Sequence, residues 1–186
     1  MVEWIVQVEP RLVRGRAVMT GADILVDAFG RIRELVHDVV DGLTPEQLAV
    51  RVDPEANSIA WLVWHLTRIQ DDHVADVAGT GQVWTTDGWA ERFGLPFDPS
   101  DTGYGHGGDD VAAVRVDAEL LAGYHAAVSE RTVAYVSKLR DEEFDRVVDE
   151  AWDPPVTLGV RLVSVVGDDL QHAGQAAFVR GILLRR

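Results

Sequence analysis

The sequence contains no cysteine and a single lysine, Lys138. Without cysteine, the chain can form no disulfide, offers no thiolate to a metal ion and has no cysteine nucleophile. Any thiol chemistry would therefore have to use a thiol that another molecule supplies.

Basic residues and long apolar runs are also scarce. Lysine and arginine together number 17 against 31 acidic residues, which gives a net charge of −14. This balance argues against a nucleic-acid partner, because contacts to phosphates need a basic surface. No apolar run reaches the roughly 20 residues that span a bilayer, and the N-terminal stretch does not have the pattern of a signal peptide. We therefore expect a cytoplasmic protein without a membrane partner.

The residues that are present indicate a helical protein. A chain of 186 residues that is 47% hydrophobic is typical of one globular domain, residues 1–186. About 35 residues rich in glycine, tryptophan and aspartate connect the second helical segment to the third. We predict an all-α fold, a four-helix bundle with a long crossover connection between helices 2 and 3. Apolar residues recur at helical spacing in residues 21–40, 57–79, 117–139 and 157–184.

The last of these segments carries polar residues on an apolar helix. Asp168 and His172 are four positions apart, so they share one face of the helix with apolar neighbours. A buried carboxylate has to be paired, protonated or bound to a cation, and a divalent metal ion satisfies both side chains together. The alternative is an Asp–His hydrogen bond with contacts to Arg161 or Arg180.

The second helical segment offers two further histidines. His65 lies on one stripe with Trp61 and Asp72, whereas His73 lies within the apolar stripe of the same helix. Either imidazole can face the interior of the bundle. A hydrogen-bonded core histidine is the alternative to a metal ligand at both positions.

Two motifs carry a resemblance to a known family. HLTRIQDDH in the second helix and DDLQHAGQAAFVRG in the last resemble the DinB-like superfamily of four-helix-bundle metalloenzymes. That superfamily includes the mycothiol- and bacillithiol-dependent S-transferases and the metal-binding domain of mycothiol-dependent maleylpyruvate isomerase. The most specific match is HAGQ, which is similar to the family's His-x-Gly-Gln ending.

The resemblance implies a set of metal ligands. Family members bind a divalent ion through a histidine on helix two and an H-x-x-x-H pair on the last helix. Carried across, the ligands are His65 and His172, with Asp168 at the position of the first histidine of the pair. Two imidazoles and a carboxylate suit zinc or nickel and leave one coordination position open. Asp72 and Asp169 would orient the imidazoles as hydrogen-bond acceptors.

The resemblance also implies a function, the transfer of a low-molecular-weight thiol of the mycothiol type onto a small electrophile. Aromatic residues of the long connection would line the substrate pocket or, alternatively, form a satellite hydrophobic cluster. These residues are Trp84, Trp89, Tyr104 and His106.

Two other functions stay open at this point. A metal-dependent hydrolase would use the same ligands to activate water. A non-catalytic ligand-binding or scaffold protein would keep the bundle with a degenerate metal site, because Asp168 replaces histidine. The resemblance further implies a homodimer, to which the apolar residues Trp4, Ile5 and Val6 could contribute.

Overall fold

Four long helices dominate the computed structural model, which describes residues 18–185 and confirms the predicted all-α fold. Short helices and a two-stranded antiparallel ribbon occupy the connections between them. In chain order, the helices are α1 (Gly21–Val40), α2 (Pro45–Leu48), α3 (Ile59–Ala78), α4 (Val83–Thr86), α5 (Trp89–Phe93), α6 (Gly108–Ala113) and α7 (Ala118–Val136), followed by a 3₁₀ turn (Asp141–Asp145), β1 (Val147–Asp149), β2 (Val156–Thr157) and α8 (Leu158–Leu183).

Side-chain caps fix where the long helices begin. The Thr20 hydroxyl accepts a hydrogen bond from the Asp23 amide, and the Asp23 carboxylate accepts one from the Thr20 amide, which forms a capping box on α1. The helix α3 starts at Ile59 because Ser58 caps it. It ends at Ala78, followed by the cap residue Gly79, whose φ of 67° is in the left-handed region that glycine adopts readily at a helix end.

The long helices form a ring in which α3 packs against α7 and α8, and α1 packs against the same two helices. The helices α3 and α7 run parallel, because Arg68 reaches Tyr124 in the first half of α7 while Tyr135, near its end, donates to the Val77 carbonyl. Parallel neighbours need a connection that returns along the bundle. The segment containing α4, α5 and α6 provides the predicted crossover.

The helix α3 is buried on almost every side, because α7, α8 and the crossover all cover it. Its sequence therefore carries apolar residues around most of its circumference. Polar residues of α3 are buried too and must find partners inside the protein. They are His65, Thr67, Arg68, Gln70 and Asp71.

Some expectations concern residues beyond the described range. Trp4, Ile5 and Val6 lie outside residues 18–185, so their part in a homodimer stays a prediction, as does the single domain over residues 1–186. Within the described range, no helix combines the length and the apolar character needed to cross a membrane.

Burial of His125 on α7 should make folding sensitive to acid. Only 1% of this residue is exposed, and burial, reinforced by Arg33, lowers the pKa of its imidazole to about 3 from the ordinary value of 6.5. Below pH 6.5 the unfolded chain gains a proton at this imidazole that the folded chain does not accept. The free energy of unfolding should therefore fall by about 1.4 kcal/mol per pH unit as the pH drops towards 3.

His125→Gln removes this titration and should flatten the acid-side fall of the melting temperature, measured by circular dichroism. His37→Gln, at an exposed histidine of α1, is the matched control and should leave the slope as it is in the wild type. An unchanged slope for His125→Gln would contradict the assignment.

Candidate metal centre

His65, Asp168 and His172 converge between α3 and α8. One ligand atom from each residue lies within 4.8 Å of the other two, and the centroids of the two imidazole rings are 4.9 Å apart. Two donors bound to one zinc ion are at most about 4.4 Å apart, because each bond is about 2.0–2.2 Å long. The three side chains are therefore close to the arrangement that a shared ion requires.

The antiparallel packing of α3 against α8 creates this cluster. His65 lies in the second turn of α3, while Asp168 and His172 lie on successive turns of α8. The His65 residue is buried, whereas the side chains of Asp168 and His172 keep 32% and 19% of their surface exposed. A small molecule can therefore approach the cluster from the side of α8.

The proton on His65 is fixed by the backbone of the crossover. The Nδ1 atom of His65 lies 2.5 Å from the carbonyl oxygen of Thr102, which can only accept a hydrogen bond. Nδ1 therefore carries the proton and the lone pair of Nε2 is free, as a metal ligand requires. Burial lowers the pKa of the His65 imidazole, which keeps it in the neutral, ligating form. The Trp61 ring stacks on this imidazole at a centroid distance of 4.6 Å.

His172 is oriented by its own helix. Its Nδ1 atom lies 3.1 Å from Oε1 of Gln175, so Nδ1–H donates to the amide oxygen and leaves Nε2 to face the cluster. Nε2 is 3.6 Å from Oδ1 of Asp168, and this carboxylate raises the pKa of the His172 imidazole against the opposite effect of burial.

The second oxygen of Asp168 supports a cation at this point. Oδ2 is buried and has no hydrogen-bond partner among the described residues. A buried carboxylate oxygen without a partner is costly, and a cation held jointly with the two imidazoles would compensate it. The donor set therefore fits a divalent ion.

The two acceptors predicted for the imidazoles lie elsewhere. Asp72 is almost two turns beyond His65 along α3, too far along the helix to orient its imidazole. Its carboxylate accepts a hydrogen bond of 2.6 Å from the side-chain amide of Gln82. Asp169 is fully buried, and neither of its oxygens has a hydrogen-bond partner among residues 18–185. Burial, with the nearby charge of Asp168, raises the pKa of the Asp169 carboxyl well above its ordinary value. Thr102 and Gln175 hold the imidazoles instead.

His73 has a different partner from the cluster. Its Nδ1 atom lies 3.1 Å from Nη1 of Arg161, and Nη2 of the same guanidinium donates to Asp149 at 3.0 Å. Arg180, the other cation considered for Asp168, donates to the backbone carbonyls at the end of α1. Of the two histidines that the sequence left open, His65 is the one that joins the cluster.

The four aromatic residues predicted to line the substrate pocket lie in three different surroundings. Trp84 and Trp89 pack on Tyr124, with ring centroids 5.1 and 5.6 Å away, which is the hydrophobic cluster that the sequence allowed as an alternative. His106 lies beside the metal candidate, where its Nδ1 atom accepts a hydrogen bond of 3.1 Å from the Trp61 indole. Tyr104 is 92% exposed.

A groove of about 580 Å³ lies between the start of α3 and the second half of α8. Gln175, which bonds His172, forms part of its wall. None of its lining residues is charged, although 26% of the chain consists of charged residues. The lining residues are Ala56, Asn57, Leu62, Leu170, Gln171, Gly174, Gln175, Phe178 and Val179.

A family model described as mycothiol S-transferase matches residues 24–184. The chain belongs to this family. The match confirms the DinB-like resemblance and extends from the fourth residue of α1 to the end of α8.

A solved structure supports the same fold for this mycothiol S-transferase family member. A conserved protein from Enterococcus faecalis is similar with a TM-score of 0.84 and 28% sequence identity, over 91% of this chain and 100% of that one. None of the curated proteins matches the chain significantly.

The sequence did not lead us to predict two of the groups that orient the imidazoles, Gln175 and Thr102. Gln175 was visible as the last residue of HAGQ, three positions after His172 and therefore on the same side of the helix. Thr102 contributes a backbone carbonyl, and no side-chain pattern reports which carbonyl a folded loop presents.

We expect the metal-free protein to take up about one equivalent of Zn²⁺ or Ni²⁺. At a free metal concentration of about 100 times Kd, binding should stabilise the fold by about 2.7 kcal/mol. His172→Ala should abolish uptake because it removes one of three donors. His73→Ala, at the histidine that pairs with Arg161, is the matched control and should keep it.

Metal content after gel filtration and the melting temperature with and without metal provide the two measurements. No uptake by the wild type, or loss of uptake in His73→Ala but not in His172→Ala, would contradict this assignment.

Proposed function

We propose that this member of the mycothiol S-transferase family is a divalent-metal-dependent enzyme that transfers a low-molecular-weight thiol of the mycothiol type onto a small electrophile. The observation that carries the proposal is the cluster of His65, Asp168 and His172. Its two imidazoles and one carboxylate are suited to zinc or nickel. The family match over residues 24–184 supports the reaction class.

Each ligand is prepared by a neighbouring group. Thr102 keeps the proton of His65 on Nδ1, and Gln175 does the same for His172, so both Nε2 atoms can act as donors. A divalent ion held by these residues would stabilise the thiolate of the co-substrate at neutral pH. Asp168 contributes one negative charge and the two imidazoles are neutral. A divalent ion together with these three ligands would therefore carry a net charge of +1, which favours binding of an anionic sulfur.

The reaction needs a thiol from outside because the chain has no cysteine. The thiol releases its proton to solvent, its sulfur forms a bond to the electrophilic carbon, and the leaving group departs with the electron pair of the broken bond. The solvent-facing edges of Asp168 and His172 leave the cluster accessible to both reactants.

The uncharged groove beside His172 is our candidate for substrate binding. The side-chain amides of Asn57, Gln171 and Gln175 can hydrogen-bond hydroxyl and amide groups, while Leu62 and Phe178 provide apolar contact. This lining favours a neutral, polar group over an ionic one.

The crossover provides further candidates. His106, and Tyr104 next to it on the same loop, stay our candidates for contact with substrate on the other side of the cluster. Trp84 and Trp89 would not contact the substrate. They would support the crossover by packing on Tyr124.

The other functions considered from the sequence are less well supported. A hydrolase would use the same three ligands, but the family match favours thiol transfer. A non-catalytic protein with a degenerate metal site would leave the buried Oδ2 of Asp168 without compensation. The homodimer and the cytoplasmic location stay predictions.

A halogenated bimane tests the reaction, because it becomes fluorescent when its carbon–halogen bond is replaced by a thioether. With metal-loaded protein and mycothiol, we expect fluorescence to develop faster than without protein. His172→Ala should reduce the rate to that of the reaction without protein, and His73→Ala should keep it. Turnover of the electrophile without thiol, giving a product that lacks sulfur, would contradict thiol transfer and favour the hydrolase.

A further inference from the structure

A fully buried arginine lies one turn beyond His65 on α3. Arg68 has no exposed surface, and its guanidinium lies over the Trp84 ring at 5.1 Å. Nη1 is 3.7 Å from the Asp71 carboxylate and donates to the Tyr124 hydroxyl at 3.3 Å. A buried cation of this kind needs a nearby anion and well-placed acceptors.

The anion is itself held firmly. The Asp71 carboxylate accepts hydrogen bonds from the amides of Val83 and Trp84 at 2.9 and 2.7 Å and from the Tyr124 hydroxyl at 2.9 Å. Burial raises the pKa of the Asp71 carboxyl, while these donors and Arg68 act in the opposite direction. Arg68 is thus fixed between α3, the start of α4 and α7.

The remaining contact of Arg68 leads to the metal candidate. Its Nε atom donates to the backbone carbonyl of Asp101 at 3.1 Å. The next carbonyl along the chain, that of Thr102, accepts the proton of His65 Nδ1. Two successive carbonyls of one loop are therefore bound to two side chains that are three residues apart on α3.

The loop, residues 101–106, is also braced internally. The Asp101 carboxylate accepts from the Gly103 amide at 2.8 Å and from Nε2 of His106 at 3.0 Å. Because Nε2 of His106 donates, its Nδ1 is free to accept from the Trp61 indole. The loop is consequently tied to α3 on both sides of His65.

Gly103 shows how closely this loop approaches the imidazole. Its φ of 91° is in the left-handed region, and a Cβ atom there would lie 2.9 Å from Nδ1 of His65 and 2.9 Å from the Trp64 ring. Only glycine fits such an approach without displacing its neighbours. The loop therefore leaves His65 little room to rotate.

We infer that Arg68 is a positioning residue for His65, acting through the loop 101–106 that it holds by the Asp101 carbonyl. Without this anchor the Thr102 carbonyl moves away, and the neutral imidazole can place its proton on Nε2, which removes the lone pair that a metal needs. The inference rests on the proposed metal site, since it gives His65 its role as a ligand.

Arg68→Lys is the decisive variant. Lysine keeps the charge beside Asp71, but its single ammonium does not reproduce the fork that reaches Asp101 and Tyr124 together. In metal-free protein at neutral pH, a long-range proton–nitrogen NMR spectrum identifies which imidazole nitrogen of His65 is protonated. We expect Nδ1–H alone in the wild type and a mixture of both forms in the variant.

Metal affinity provides the second measurement. In competition with a chromophoric chelator, Arg68→Lys should bind Zn²⁺ roughly 10–100-fold more weakly, as is typical when the support of a ligand is lost. Arg131→Lys is the matched control: Arg131 also bonds a backbone carbonyl, that of Gly81, and pairs with Asp87 away from the cluster. It should match the wild type in both measurements.

Arg68→Gln is the second variant if Arg68→Lys does not fold. Its shorter neutral side chain does not reach the Asp101 carbonyl, while the Asp71 carboxylate keeps its hydrogen bonds from Val83, Trp84 and Tyr124. It should produce the same mixture of His65 forms. A folded Arg68→Lys or Arg68→Gln that keeps Nδ1–H alone and the wild-type affinity would overturn the inference. If the wild type binds no metal, the proposed function fails, while the NMR spectra still decide whether Arg68 positions His65.

Discussion

The packing of α3 against α8 is the contact on which the candidate centre depends. It brings two imidazoles and a carboxylate, each on an otherwise apolar helix surface, within 4.8 Å of one another. Either helix alone would expose these groups to water, where they cost nothing. Together the helices remove most of that water, so the polar atoms need a common partner. A divalent cation would satisfy all three.

The sequence contains enough information to predict the bundle and to single out the three residues that cluster between α3 and α8, and it does so for different reasons. The helices follow from apolar residues at helical spacing, while His65, Asp168 and His172 follow from a family motif. The groups around them do not follow, because Thr102 acts through its backbone and Arg68 acts through a loop distant in sequence. Asp72 shares a stripe with His65, but such a stripe extends along the whole helix. Asp72 lies almost two turns away from His65, where it accepts a hydrogen bond from Gln82.

Asp168 is the departure from the family pattern, and its surroundings give it a consistent interpretation. A carboxylate in place of an imidazole lowers the positive charge that the ligand set leaves on a divalent ion. One of its oxygens lies near His172, and the other is buried without a partner among the described residues. These positions are the ones expected of a metal ligand and not of a degenerate site. A divalent ion held by this set would attract anions less strongly than one held by three histidines.

The crossover that supplies Thr102 also has a consequence for how the protein assembles. The centre combines a residue from α3, a carbonyl from the crossover and two residues from α8, separated by about a hundred positions along the chain. Contacts between residues so far apart in sequence can form only after the intervening loops have closed. A fragment that lacks α3, the crossover or α8 would therefore lack the candidate centre, and a metal ion would bind at full strength only to a chain in which all three are in place.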